Sequence, residues 1–461
     1  MTKKLWGGRF QKRTDLQFES FSASFKWDKR LLPYDLKIDR AHVKALRKCG
    51  VLSSGEEKRF LNGIQALERK YQTGSLPSDG SFEDVHSFVQ SELQKWLGPL
   101  ADKLHAGRSR NDLVSQSSRL YCKDHAARIL GQVRGLQRAI VVQAQRNEAV
   151  LLPGMTHMQN AQVLSQGHIF LAYAEMLERV VWRLKGALPF FDVCVLGSGA
   201  LAGVTFSLDQ KLIAKELGLS EITRNSYDAA GDRDFLLNFL SCVLFLGLQI
   251  SRISEDLMIA QTKGFSIVDV DQAFCTGSSM MPQKKNADFL ELTRGSVGVF
   301  AGNFLGFAAT LKGLPTSYNR DLQWDKKYVF DSVETCEEIL LLFTRMIQTL
   351  KINRAKAKLL LADESLFATD LADFLVGKGV PFKEAHEQAG RIVAFAENKN
   401  LPISKIGLDL LRKFAPKLDG GVYALFSPEH SVHMKKTIGS THPAEIKKQI
   451  AVWKKKLKEG K

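Results

Sequence analysis

The 461-residue chain is short of residues that break helices and of residues that staple small folds. It has 12 prolines, and Asn111–Ala149 contains none, so long uninterrupted helices are permitted. Its six cysteines (Cys49, Cys122, Cys194, Cys242, Cys275 and Cys336) are dispersed, with no C-x-x-C pair. That spacing argues against a zinc site and against a secreted disulfide framework, and it suits a reducing cytoplasm. The start, MTKKLWGGRF, has lysines but no apolar stretch behind them, so it does not read as a signal peptide. The most apolar segment, Phe235–Ile250, is interrupted by Asn238, Ser241, Gly247 and Gln249. It is shorter than the roughly 18–20 apolar residues of a membrane span, and a buried core helix is the expectation. Alternating, strand-like patterns are scarce.

Helical periodicity is abundant. Leu130, Val133, Leu136, Ile140 and Ala144 recur at spacings of three and four, one face of a long helix. Ile169–Leu184, Arg233–Lys263 and Asp288–Leu311 are similarly apolar-periodic. Several helices longer than roughly 20 residues predict an all-α fold built on a long-helix bundle. Gly295, Gly298, Gly302 and Gly306 within the last of these segments permit close helix–helix approach, at some loss of helix propensity. The formal charge of +16 is compatible with an anionic ligand or with nucleic acid. Its densest cluster, Lys447–Lys461, alternates with apolar residues and reads as a solvated helix face. No zinc-finger or RNP signature accompanies it, so no nucleic-acid partner is expected.

Between the helical segments lie polar stretches rich in glycine or marked by proline: Leu104–Asp112, Pro153–Gln162, Leu196–Gly203, Ser226–Asp234, Thr276–Asp288 and Pro315–Lys327. Loops on a rigid scaffold commonly carry catalytic groups. The most informative is Gly277–Asn286, GSSMMPQKKN. It offers a mobile backbone, two hydroxyls, two lysines placed for an anion, and Asn286 as a candidate cap for the following helix, whose first amides favour a carboxylate. Composition alone fits a flexible surface loop equally well.

GSSMMPQKKN resembles the GSSxMPxKxN signature of the fumarase/aspartase superfamily. KLWGGRF at Lys4–Phe10, LHAGRSRND at Leu104–Asp112, GMTHMQNAQ at Gly154–Gln162, LGSGALAG at Leu196–Gly203 and GLPTSYNRDLQWDK at Gly313–Lys326 narrow the resemblance to the argininosuccinate lyase family and its lens relative delta-crystallin. The likeness extends into the last part of the chain through ATDLADFLVGKGVPFKEAH, Ala368–His386. It implies three mainly helical parts, about 1–109, 110–358 and 359–461. It also implies a homotetramer with composite active sites, a small-molecule substrate, and neither metal nor organic cofactor.

The implied reaction is an anti elimination. A base removes a proton beside a carboxylate, an aci-carboxylate collects the charge, and the amine leaves with help from an acid. Fixed cations and amide donors must face that charge. The resemblance assigns Ser278 as base and His157 to proton transfer at the leaving nitrogen; the reverse assignment uses the same two residues. Lys284 is the candidate activator of Ser278. Ser24, Asn111, Thr156, Lys284 and Asn286 match contacts to the succinate carboxylates. Tyr318, Gln323 and Lys326 match contacts to the arginine-like end, and His86, Arg110 and Arg233 match segments lining the site. A substrate with three carboxylates calls for these residue types.

The chain departs from the family pattern at Gln90, Met155, Asn160, Val163, Val195, Ala287 and Trp324, none of which is a proposed catalytic group. Two rival readings stand beside the lyase. A sister fumarate-releasing enzyme would share the GSS loop but not GRSRND with SYNRDLQ. An inactive crystallin-like structural protein predicts loss of His157, Ser278 or Lys284, and all three are present.

Overall fold

The computed structural model describes residues 12, 14–72, 74, 77 and 82–459, so the KLWGGRF segment lies outside the described residues. Five helices dominate: Arg110–Arg146, Gln166–Phe191, Asp234–Gln261, Asp288–Leu311 and Asp325–Thr349. The first has 37 residues, about 55 Å at a helical rise of roughly 1.5 Å per residue. Its periodic face is buried at Val133, Leu136, Ile140 and Ala144. Asp234–Gln261 is long and apolar enough to cross a membrane, and half of its most apolar stretch is buried in the chain. Phe235, Phe239, Leu240, Val243, Leu246 and Ile250 are all core residues, as a buried helix requires. Gly247 is needed within it, because a Cβ there would lie 2.6 Å from the Phe300 ring.

Contact density divides the chain into two units. One comprises Met1–Leu130, Val180–Gly247 and Ser296–Glu337. In it the helices Leu32–Lys48, Ser54–Gln72 and Val85–Leu97 pack together. Ile38, Ala41 and Ala45 meet Leu113, Leu120, Leu196, Ile213 and Leu217 in one apolar cluster.

The other unit comprises Gly131–Arg179, Leu248–Gly295 and Glu338–Lys461. Its C-terminal helices Ala368–Gly377, Phe382–Lys399 and Leu408–Phe414 enclose Leu371, Leu375, Ile392, Ile403 and Leu411. The last helix, Pro443–Glu459, buries Ile446, Ile450, Trp453 and Leu457 and leaves Lys447, Lys454, Lys455 and Lys458 exposed. It is fastened to the Gln166–Phe191 helix by Trp453 Nε1 donating to Glu175 (3.0 Å) and by Lys456 pairing with Glu178 (2.8 Å). Arg134 pairs with the same Glu178.

Two expectations need correction. Pro153–Gln162 is not a loop but most of an antiparallel hairpin, Leu151–Thr156 with Gln159–Ser165. Asn286 does not cap the next helix, which begins at Asp288. Its side-chain amide instead donates to the Gly277 carbonyl (3.3 Å), across the base of its own loop.

Candidate active site

In the first unit, burial forces polar side chains into a connected network. Ser24 precedes the short helix Phe25–Asp28, and its hydroxyl donates to Asp28. The other Asp28 oxygen accepts the Val85 amide (2.9 Å), tying Ser24 to the start of the Val85–Leu97 helix. The next residue there, His86, bonds through Nδ1 to Asp35, whose second oxygen accepts the Ser117 hydroxyl. Asp84 caps the same helix by accepting the Ser87 amide and hydroxyl, both at 2.7 Å. Arg110 reaches this corner with 2.7 Å to Ser87 Oγ, 3.3 Å to Asp84 and 3.4 Å to Glu83. Asn111 donates to the Ala200 carbonyl (3.1 Å). The next residue, Asp112, accepts the amides of Ser109, Gly197 and Gly199. The GRSRND and LGSGALAG segments therefore organise one another through a single carboxylate.

The SYNRDLQ segment joins the same network. The Ser22 carbonyl accepts from both Arg320 (3.1 Å) and Gln323 (3.0 Å), two residues before Ser24. Arg233, Asp325 and Lys326 form a buried triad: Asp325 accepts Arg233 Nε at 2.9 Å and Lys326 Nζ at 2.8 Å. Tyr318 follows Ser317, whose φ is 72°. Ser317 packs so closely on Gly231 that a Cβ there would meet its carbonyl carbon at 2.4 Å, so glycine at 231 is what admits the segment. Ser24, His86, Arg110, Arg233, Gln323 and Lys326 are thus drawn into linked clusters, with Asn111 and Tyr318 on the adjoining segments.

Electrostatics follow the packing. Burial, reinforced by the negative charge of Asp84, pushes Asp28 up to about 6, against the pull of His86 and Ser24. Burial pushes Asp112 up to about 6 despite its amide donors. Burial alone would raise Asp84 and Asp325 as well. Asp84 is instead lowered, chiefly by His86 and Arg110, and Asp325 is lowered by Lys326 and Arg233.

The second unit presents its candidates differently. Thr156 ends one strand of the hairpin, and His157 and Met158 form its two-residue turn. Their φ values are 52° and 61°, both left-handed, the geometry of a type I′ turn that ordinarily selects Asn-Gly. Thr156 and His157 are exposed. The signature loop is closed at its base by an antiparallel bridge between Thr276 and Asn286, with reciprocal amide–carbonyl bonds of 3.0 and 2.9 Å. Thr276 Oγ1 also bonds to Asp288. Inside the loop the Ser278 oxygen accepts the amides of Met281 (3.0 Å) and Met280 (3.3 Å). Two amides aimed at one hydroxyl oxygen are what would stabilise its alkoxide. Lys284 is exposed, and Lys285 pairs with Asp269 at 2.7 Å. Among the described residues no hydrogen bond or ion pair joins Thr156 or His157 to the Ser278 loop. No group of three or more metal-ligating side chains occurs among them either.

The sequence reading did not single out Asp28, Asp35, Asp84, Asp112 or Asp325, the acids that hold the named residues. Three of them stood close to a named residue in sequence, Asp84 two before His86, Asp112 next to Asn111 and Asp325 next to Lys326, and Asp28 and Asp35 had no such signal.

A helical frame with glycine-marked polar loops and a serine nested in amides defines a lyase of the fumarase/aspartase class, and comparison agrees. Residues 8–302 match the Lyase family and residues 365–433 the argininosuccinate lyase C-terminal family. The structure is similar to EDDS lyase in complex with formate, with a TM-score of 0.85 at 26% identity over 94% of this chain and 87% of that one. The class II fumarase of Schistosoma mansoni shares the fold, with a TM-score of 0.74 at 17% identity over 86% of this chain and 90% of that one. The argininosuccinate lyase of Bacillus velezensis is 40% identical over 97% of this chain and 98% of its own length. That of Desulfatibacillum aliphaticivorans is 42% identical over 96% and 95%. The chain belongs to the argininosuccinate lyase family.

Proposed function

We propose that the protein cleaves argininosuccinate to arginine and fumarate, as a carbon–nitrogen lyase serving arginine biosynthesis. The observation that carries this reading is the Ser278 hydroxyl, held by two amides at the head of the family's signature loop. Ser278 takes the proton from the carbon next to a succinate carboxylate. The electron pair becomes the C=C bond of fumarate as the C–N bond breaks, and His157 delivers a proton to the departing guanidino nitrogen. Ser24, Asn111, Thr156, Lys284 and Asn286 receive the succinate carboxylates. Tyr318, Gln323 and Lys326 receive the amino-acid end, with His86, Arg110 and Arg233 behind them. No cofactor or metal has a part in these steps. The test is incubation with argininosuccinate without added metal, following fumarate and arginine by NMR. No turnover, or equal or better turnover of adenylosuccinate or aspartate, sinks the reading.

The proposed assembly is a cytoplasmic homotetramer in which His157 and Ser278 come to one site from different chains, each chain having parts 1–109, 110–358 and 359–461. Helix Asp288–Leu311 supports it: Leu292, Val299 and Leu305 are exposed, and a Cβ at Gly295, Gly298 or Gly302 would meet open space. Such a face suits close packing against another copy. Six unpaired cysteines fit the compartment. Mixing inactive His157→Ala and Ser278→Ala proteins, then dissociating and reassociating them, should restore a fraction of activity. Verified mixed tetramers that stay inactive, or an active monomer, rule the shared site out.

A further inference from the structure

His86 lies at the centre of the first unit's network, between the acids that hold Ser24 and Arg110. Its side chain is 4% exposed and that of its partner Asp35 2%. Asp35 projects from the Leu32–Lys48 helix, His86 from Val85–Leu97 and Ser117 from Arg110–Arg146, so the Asp35 carboxylate ties three helices at one point. Burial works against a charge on His86, but Asp35, by charge and hydrogen bond, together with Asp84 and Asp28, raises it above the ordinary histidine range. The influence runs both ways, since His86 draws Asp28 and Asp84 toward their ionised forms. Ionised Asp28 is the acceptor of the Ser24 hydroxyl, and ionised Asp84 faces Arg110.

We infer that Asp35 is a positioning residue of the site: by fixing His86 as a buried imidazolium it holds Asp28 and Asp84 as carboxylates, and through them orients Ser24 and Arg110 toward a substrate carboxylate. His86 then serves as a fixed cation and transfers no proton. A neutral imidazole would leave two buried carboxylates close together with less compensation, and one of them would take up a proton. The Ser24 hydroxyl would then donate to a neutral carboxyl, or the Arg110 guanidinium would lose the charge of Asp84 while keeping Ser87 and Glu83, and either change loosens the group. This inference rests on the function proposed above.

The test is a double-mutant cycle with a spectroscopic arm. Asp35→Asn keeps the shape and removes the charge. It should raise KM for argininosuccinate about tenfold, the effect of losing a charge-assisted hydrogen bond, with a smaller change in kcat. His86→Gln should give the same KM shift. The double variant should be no worse than either single one, because both act through one group. Ser117→Ala removes a neutral donor to Asp35 and should move KM less. Imidazole NMR of the wild type, assigned by the signal lost in His86→Gln, should show His86 protonated at pH 7, and in Asp35→Asn neutral. A neutral wild-type His86, additive KM effects in the double variant, or an unchanged KM in His86→Gln overturns the inference. If Asp35→Asn does not fold, the wild-type titration and His86→Gln still decide. If the wild type fails to turn over argininosuccinate, the proposed function falls, while the His86 titration still tests Asp35.

Discussion

The two groups of candidate residues are built in opposite ways. Those of the first unit centre on buried polar clusters: Arg233 and its partner Asp325 are both 0% exposed, Ser24, His86 and Lys326 are buried as well, and Arg110, Asn111, Tyr318 and Gln323 are half-buried. Those of the second unit are exposed or lie on loops: His157 on a strained hairpin turn, Ser278 in a nine-residue span between the bridge-forming Thr276 and Asn286, Lys284 in water. The contrast separates two tasks. Recognising a polyanion rewards side chains whose positions are settled before binding. Proton transfer needs groups that can approach and leave, and segments of low local stability supply them.

The contrast is tested most strongly by removing one residue of each kind. Ser278→Ala should lower kcat by on the order of 100- to 10,000-fold, as loss of a base does. Its unfolding midpoint should stay at the wild-type value, because the loop hydroxyl supports no core. Ser279→Ala should be milder; equal losses in the two variants would show that the wrong serine has been chosen. Asp325→Ala should do the reverse of Ser278→Ala. It strands Arg233 and Lys326 without their carboxylate and should lose about 3–5 kcal/mol of stability in denaturant unfolding. A Lys284→Ala control should change stability by under about 0.5 kcal/mol. Similar stability losses for Asp325→Ala and Ser278→Ala would erase the distinction.

Much of the frame was legible in the sequence, because long helices announce themselves by period. Val133, Leu136, Ile140 and Ala144 are buried as their spacing required. The Phe235–Ile250 segment is interior at Phe239 and Leu246 despite Asn238 and Gln249. The hairpin at Leu151–Ser165 was not legible. Its turn residues, His157 and Met158, are not the residues a type I′ turn selects, so local chemistry pointed away from it. The acid network was also hidden. Asp28 and Asp35 are ordinary helix residues until the fold brings Val85, His86 and Ser117 to them from elsewhere in the chain. The named site residues came from motifs, whereas their partners follow only from tertiary packing.

Acidification should act in opposite directions on acids that burial raises and on acids that neighbouring cations lower. Asp28 and Asp112 of the first unit titrate near 6, above their unfolded values. The native state therefore binds protons first, and stability rises as pH falls from about 7 toward 5. Glu178 of the second unit is opposed by burial but brought down to about 2 by Arg134, Lys456 and Gln137. Its contribution is complete above the unfolded glutamate value near 4.5 and is lost as pH falls from there toward 2. Thermal unfolding against pH should pass through a maximum between these windows. Asp112→Asn should flatten the upper limb and leave the lower one, and Glu178→Gln should flatten the lower limb. An upper limb unchanged by Asp112→Asn would remove that residue from the account.

The smallest expected effect concerns the hairpin turn. A non-glycine residue in the left-handed region carries about 1–2 kcal/mol of strain, and Met158 sits there at φ 61° and is 62% exposed. Exposure means that little packing is lost when the side chain is removed. Met158→Gly should therefore raise stability by up to about 1 kcal/mol, the strain relief being partly offset by the greater freedom of glycine in the unfolded chain. The same relief loosens the constraint on the neighbouring His157, at φ 52°. If the strained turn serves to present the imidazole, the stabilised variant should turn over argininosuccinate more slowly, and Met158→Asn, which tolerates the left-handed region while keeping a Cβ, should fall between. Higher stability with unchanged kcat would mean that the turn is strained without consequence for His157. Lower stability would mean that Met158 makes contacts in the assembled protein that outweigh its backbone strain.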